Sequence, residues 1–363
     1  MESAVRTPRI PVRRRWHDTT VQASHPQEIP MSKIETGGRP VEVTRVICAS
    51  VCRVRGSVMS ELFQIRNRLC ELSGPSFAVR GALLYSSGWF VLWLEGPTAA
   101  VDAFVQRAAR DPRNAHQKII HRSRGPGSLD EGLTVCATQC ADTPSDFAHR
   151  VMEALEEFRA GSRAHPATIW QRLSAPCSVG AARPSYHRLP DRHIAVVAAQ
   201  ENGPIDVLRK IGDRFSTKVV YQRFAGARRH SSDVGGAYVD IPCARHVRRA
   251  QLLSRRALGH NTVRQSLSQI DGLVLLLGTR PDAAIELAAS AAACLSSLPS
   301  QPSIYLVNGG NGIVQSVAAL LRQPAAGGRA PAVIELPESK FSDLLVHGDP
   351  HEECEPVDEL QAA

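Results

Sequence analysis

The sequence predicts an α+β ferredoxin-like (βαββαββ) N-terminal domain followed by an α/β domain with a mostly parallel sheet. Three observations predict it. Between residues 41 and 138 the apolar period switches between two and 3.6 in the order strand, helix, two strands, helix, two strands. Further on, the near-continuous apolar runs Leu273–Leu277 and Ile304–Val307 stand between helical stretches, as strands buried on both faces of a parallel sheet do. Between these regions, residues 160–190 are rich in proline, arginine and small residues and hold no period, which reads as a linker.

Residues 1–40 are polar, Pro-rich and basic and read as a disordered arm, with Met31 a second candidate start. Val41–Val51 is β-branched and apolar, and Met59–Leu72 places Leu62, Ile65, Leu69 and Leu72 at helical spacing. Ser73-Gly74-Pro75 stops that helix, because glycine accepts a left-handed cap and proline cannot continue the ladder. Strands Ala78–Tyr85 and Trp89–Leu94 follow, joined by Ser86-Ser87-Gly88 at hairpin length. After Pro97 a helix shows Val101, Phe104, Val105 and Ala108 on one face, and short strands Gln117–Ile120 and Gly132–Cys136 come next. Strand Trp89–Leu94 is apolar on both sides, so a second cover is required. Phe147, Val151, Leu155 and Phe158 form a helical stripe suited to it, which extends this domain over residues 41–159.

The second domain, residues 191–338, has expected strands His193–Ala199, Thr217–Tyr221, Ala237–Ile241, Leu273–Gly278, Ser303–Asn308 and Ala332–Leu336. The arginine-rich stretch Arg245–Arg264 reads as a helix with a solvated face, with a partner surface as the alternative. Residues 339–363, with Glu352, Glu353, Glu355, Asp358 and Glu359, read as a solvated acidic tail.

Composition narrows the function classes. The chain has 363 residues, 43% of them apolar, enough for two cores. The net charge of +8 invites a nucleic-acid reading, but the arginines are scattered and aromatic residues are only 5%, which argues against base stacking. No apolar h-region follows Arg13-Arg14-Arg15, and no apolar run reaches membrane-spanning length, so a cytoplasmic protein without membrane contact is expected. Nine cysteines, an odd number without an export signal, read as reduced thiols. Cys48, Cys52, Cys136 and Cys140 could be taken as four metal thiolates, but small buried hydrophobes are the preferred reading.

The segment Gly81-Ala-Leu-Leu-Tyr-Ser-Ser-Gly-Trp-Phe-Val-Leu-Trp-Leu-Glu-Gly96 resembles the central hairpin of BLUF domains, the flavin blue-light sensors, whose usual form is roughly T-G-x-L-x-Y-x-x-G-x-F-x-Q-x-L-E-G. Asp111-Pro112-Arg113-Asn114 looks like the family's D-x-R-H, and Cys48-Ala-Ser50 like the Y-x-S of its first strand. The resemblance spans residues 42–138. It implies a flavin lying between the two helices and a tyrosine–glutamine relay that carries the light reaction. Here Cys48 stands at the tyrosine and Leu92 at the glutamine, replacing a redox donor by a weak thiol and an amide by a hydrocarbon. The family asparagine after the first helix falls at Ser73 or Gly74, its threonine at Arg80 and its histidine at Asn114, and no tryptophan stands in Arg122–Leu133. If flavin is retained, the resemblance implies contacts from Cys48, Ser50, Ser73, Arg80, Leu92, Arg113 and Asn114. The leading expectation is that no cofactor is held, with Phe90, Leu92 and Leu94 filling the vacated cavity, and the alternative is an FAD-binding photoreceptor with altered photochemistry.

In the second domain Gln200-Glu-Asn-Gly203-Pro-Ile205 occupies the place of a P-loop without its lysine or its hydroxyl, and Asn308-Gly-Gly-Asn311 looks like a Ras-like guanine-reading motif without its lysine and aspartate. The topological resemblance to a Ras-like GTPase therefore comes without nucleotide chemistry. Neither a nucleophile–base set nor a metal spacing stands out, so the expectation is a non-catalytic signalling or scaffolding protein that meets a protein partner or forms a homo-oligomer.

Overall fold

The computed structural model describes residues 42–72, 79–130, 132–177, 187, 189–200, 205–226, 234–243, 246–296, 298, 301–322 and 330–348. The expected arm 1–40, Ser73 and Gly74, and residues 349–363 lie outside them. The N-terminal elements are β1 (Glu42–Cys52), α1 (Val58–Leu72), β2 (Arg80–Ser86), β3 (Trp89–Gly96), α2 (Thr98–Ala109), β4 (Asn114–Pro126) and β5 (Leu133–Gln139), the βαββαββ order that the periodicity predicts. Then come α3 (Pro144–Arg159), α4 (Pro166–Ser174), β6 (Arg192–Ala198), α5 (Ile205–Arg214), β7 (Val220–Ala225), β8 (Val234–Pro242) and β9 (Val247–Ser254). A single 3-10 turn leads to α6 (Asn261–Ser266), β10 (Gly272–Leu276), α7 (Pro281–Leu295), β11 (Ser303–Val307), α8 (Asn311–Leu321), β12 (Val333–Glu335) and α9 (Glu338–His347).

The twelve strands among the described residues join one mixed sheet in the order β12-β11-β10-β6-β9-β8-β7-β5-β2-β3-β1-β4. The run from β12 to β9 is parallel, as the apolar strands require, but β8 and β7 are antiparallel, so the parallel character stops at β9. The β2–β3 connection is a two-residue loop in which Ser87 and Gly88 have φ of 46° and 80°, the positive values that a type I′ turn needs. β5 pairs antiparallel with β7, so the hydrogen-bond ladder runs unbroken from the N-terminal strands into the C-terminal ones.

Helices α1 and α2 cover one face of the N-terminal strands, through Leu62 against Leu83 and Phe90, and Val101 against Val46, Cys48 and Leu94. The opposite face, with Ile47, Trp89, Val91 and Trp93, packs on Phe147, Val151 and Leu155 of α3, the cover that the two-sided strand demands. The same core continues through Phe224 into Leu273, Leu275 and helices α7 and α8. A second core lies on the other side of the C-terminal strands under α5 and α9.

Three expectations are corrected. The segment 160–190 is not a plain linker, because α4 lies in it with Ile169, Trp170 and Leu173 buried, and the Trp170 ring centroid is 6.0 Å from that of Trp93. Nine residues are too few for a lasting period, and the prolines that mark a linker here include Pro166 in the first helical turn, where proline is favoured. The stretch 245–264 is not a solvated helix. Val247–Ser254 is a strand between β6 and β8, with Arg248 and Arg249 only 2% exposed. The acidic tail, finally, starts later than residue 339, because α9 buries Phe341, Leu344 and Leu345.

The buried arginine explains why a strand with such a sequence can lie inside. Arg249 donates to both carboxylate oxygens of Asp240 at 2.7 and 2.9 Å and sits 3.9 Å over the Tyr238 ring. Burial works against its charge, but Asp240 and Tyr238 outweigh it and hold the guanidinium above its ordinary value. Its remaining hydrogen bonds go to the carbonyls of Ala175 and Pro176, at 2.8 and 3.2 Å. Thr138 and Gln222 donate to the Ser174 carbonyl, Tyr238 to that of Pro176 and Arg150 to that of Cys177. The strap 174–177 is thereby pinned by side chains of α3, β5, β7, β8 and β9.

Replacing one member of a buried ion pair strands the other, at about 3–5 kcal/mol. Arg249→Met should lower the urea unfolding free energy by about that amount, and Arg249→Met with Asp240→Leu should recover part of the loss. Equal losses in the two variants would show that the stranded carboxylate is not the cause.

Candidate functional site

Between α1 and α2, over β1, β2, β3 and β5, lies an open cleft of about 220 Å³. Its walls are largely apolar, with Ile65 from α1, Leu83, Phe90 and Leu92 from the hairpin, Phe104 from α2 and Leu133 from β5. Phe90 and Leu92 are there because odd and even positions of β3 face opposite sides, and the even ones point to these helices. The expectation that Phe90, Leu92 and Leu94 fill this space is corrected: Phe90 and Leu92 line the cleft without closing it, and Leu94 packs toward α2 with Val46 and Val101.

Cys48 and Leu92 are direct cross-strand partners in the β1–β3 ladder. They therefore stand side by side on the cleft floor, where Ser50 also lies. Burial pushes the Cys48 thiol up to about 12, with Arg122 pulling weakly the other way. Such a thiol stays protonated at neutral pH.

One end of the cleft is polar and is built by the C-terminus of α2 and the turn after it. Asp111 accepts from the Arg113 main-chain N–H at 2.9 Å and from its guanidinium, which holds the Asp111 carboxyl below the usual range, and Arg113 reaches Glu61 of α1 at 3.3 Å. Asn114 Nδ2 donates to the Ala108 carbonyl at 2.9 Å, while its Oδ1 is buried without a donor among the described residues. Gln117 Nε2 donates to the Val105 carbonyl at 3.3 Å. Arg68 and Arg107 complete this end.

The cleft thus brings together Cys48, Ser50, Leu92, Arg113 and Asn114, while Ser73 lies outside the described residues. Arg80 is not part of it. Its Nη1 donates to the Leu129 carbonyl at 3.2 Å on the other face of the sheet, opposite Glu95. The thiols weighed as metal ligands are also kept apart, with Cys48 packed toward α2 and Cys136 in the core on the opposite face. Sequence reasoning missed Arg68 and Arg107, one helical turn after Ile65 and Phe104, and Gln117, three residues after Asn114 on β4. It also missed Glu95, fully buried on β3, whose carboxylate accepts from Ser128 N–H and Oγ–H and from Leu129 N–H at 2.6–2.8 Å. Ser128 O in turn accepts from Asn261 and Gln265 of α6.

Two helices flank a cleft over an antiparallel hairpin, the arrangement of a small α+β domain. A family model described as "BLUF: Sensors of blue-light using FAD" matches residues 45–126, and these residues form a BLUF domain within a longer chain. Among solved structures, the BLUF protein BlrB in its dark state is 21% identical over 26% of this chain and 73% of its own, with a TM-score of 0.23. The ground state of BlsA is 18% identical over 30% and 72%, at a TM-score of 0.24. A bacterial light-regulated adenylyl cyclase is 16% identical over 32% and 33%, at 0.23. No curated protein matches the chain. Among the described residues no helix is long and apolar enough to cross a membrane.

With a pKa of about 12, only about one Cys48 thiol in ten thousand is ionised at pH 8. Iodoacetamide should leave Cys48 unmodified in the folded chain and modify it after unfolding in urea. Equal labelling rates in the two states would show the thiol to be accessible and ionisable.

Proposed function

We propose that this chain is a non-catalytic signalling or scaffolding protein in which the BLUF domain has kept its cleft and lost the light reaction. The observation that supports this most strongly is the direct Cys48–Leu92 pairing on the cleft floor. A hydrocarbon at Leu92 can neither donate nor accept a hydrogen bond, and a buried neutral thiol is a poor substitute for a phenol in proton-coupled transfer. The relay thus fails at both of its stations, which lie beside each other.

The apolar walls suit a flat ring, but the polar complement does not suit a flavin's amide edge. Among the described lining residues, one N–H of each of the Asn114 and Gln117 amides is bound to a main-chain carbonyl, and Arg113 is engaged by two carboxylates. On the floor that leaves the Ser50 hydroxyl and the Cys48 thiol, with Arg68 and Arg107 out at the exposed end, where an imide needs two donors placed together for its two carbonyls. Each unmet group costs about 1–3 kcal/mol. The alternative, an FAD-binding photoreceptor with altered photochemistry, draws its support from the open cleft and from the match to a family described as using FAD. Output then passes to a protein partner or a second copy of the chain, and Glu95 with the loop at Ser128 offers a route from β3 to α6.

The full chain, incubated with excess FAD, desalted and illuminated at 450 nm, should show no light-minus-dark difference band. A red-shifted flavin band that forms in light and recovers in darkness would overturn this reading.

A further inference from the structure

We infer that the acidic segment 349–363 docks on a basic track at one end of the sheet, across the feet of α5, α1 and α2. The contact is independent of whether the cleft holds flavin or answers to light.

Strand pairing brings distant residues to this end. Val247 at the start of β9 pairs with Pro242, Tyr238 with Val220 at the start of β7, and Tyr221 with Gln139 at the end of β5. From there Thr138 pairs with Ser86, Ser86 with Trp89, Trp89 with Val51, and Cys52 with Asn114 at the start of β4. Helices α5 and α9 share a face of the sheet with α1 and α2. Ala237 under α5, Tyr221 and Gln139 are cross-strand neighbours, and Gln139 points to the same side of β5 as Val135 and Ala137 under α1.

Six cations line this end. Arg214 ends α5 and Lys218 precedes β7, Arg53 and Arg55 stand between β1 and α1, and Arg107 and Arg110 close α2. The Arg53 N–H donates to the Arg113 carbonyl at 2.7 Å, which brings the β1–α1 turn against the end of α2. All six are exposed, and among the described residues none has an ion pair, the neighbouring Asp111 and Glu61 both being taken by Arg113. The α2 dipole suits Arg107 and Arg110, but Arg53 and Arg55 precede the N-terminus of α1, where cations are disfavoured. Local structure therefore does not account for the patch.

The segment that follows α9 has the complementary charge. It holds Asp349, Glu352, Glu353, Glu355, Asp358 and Glu359, with no lysine or arginine. It also starts at the right end, because α9 stops at His347, and Arg248, the second residue of β9, donates to the Val346 carbonyl. From β9 to β1 is six strand spacings, about 30 Å, and the residues from 349 to 363 reach up to about 50 Å when extended. A tethered segment meets the track at a high effective concentration, which favours it over a free polyanion. Arg107 also lines the polar end of the cleft, so the docked segment borders that end.

The test is native digestion of the full chain with endoproteinase Glu-C at about 20 mM salt, read by mass spectrometry as cleavage after Glu352, Glu353 and Glu359. Exposed ion pairs are weak singly, but several together shield the segment. The combined variant Arg53→Gln, Arg55→Gln, Arg107→Gln and Arg110→Gln should therefore be cut about tenfold faster than the parent, and the two rates should converge at about 0.5 M salt. A second variant, Arg124→Gln with Arg159→Gln, Arg163→Gln and Arg322→Gln, loses the same charge at exposed positions off the track and should be cut like the parent. Circular dichroism confirms that both variants are folded. Equal rates for the parent and the first variant at low salt, or equal acceleration in both variants, would overturn the inference. So would protection that vanishes on about tenfold dilution, which would assign the track to a second copy of the chain.

Discussion

Six hydrogen bonds to four consecutive main-chain carbonyls, from Ser174 to Cys177, are the constraint on which the rest of the structure depends. Main-chain carbonyls that leave a helix inside a protein need donors, and here the donors are side chains from both halves of the sheet. Thr138 comes from β5, Gln222, Tyr238 and Arg249 from β7, β8 and β9. The strap therefore cannot leave without exposing unsatisfied donors on strands of both origins. The charged member, Arg249, is tolerable at that depth because Asp240 and the Tyr238 ring surround it. A polar network adjoins the strap, with Gln251 donating to Gln222 and His193 bonded to Gln251 at 2.9 Å. Burial, with Arg249 nearby, lowers the His193 pKa to about 3, so the ring stays neutral and adds no further charge.

β5, which Thr138 ties to the strap, is also part of the cleft's back wall. β3 carries Leu92 toward the helices and, three residues later, Glu95 toward the opposite side, where it fastens Ser128 and Leu129. The Asp130 carboxylate meets Arg264 at 2.9 Å, next to the bonds that α6 makes to Ser128. A change at the cleft floor that moves β3 along its axis must also strain or break these contacts.

Much of this was legible in the sequence where the period was long or two-sided. The β3 sequence Trp-Phe-Val-Leu-Trp-Leu, apolar on both sides, required two covers, and both are present in α1 with α2 and in α3. The motif Gly81–Gly96 carried the BLUF domain because its glycines and aromatics stand at positions fixed by a tight hairpin. What stayed hidden depended on tertiary partners. Arg248 and Arg249 look like surface until Asp240 and the strap carbonyls are placed beside them. Pro166 and Pro176 look like a linker until Trp170 is seen against Trp93. Arg80 aligns with a family contact by position, yet strand alternation turns it to the other face. The open volume beside Leu92 is a property of how far apart two helices are held, which no local pattern encodes.

If the strap and the β5–β7 ladder make the N-terminal strands and the C-terminal sheet a single cooperative unit, native-state hydrogen exchange measured by mass spectrometry across rising urea reads that directly. The account predicts that amides of β2, β3 and β5 and of β7, β8 and β9 share one opening free energy and merge into the same isotherm. Protection of β6–β11 that persists after residues 45–126 have exchanged would contradict it.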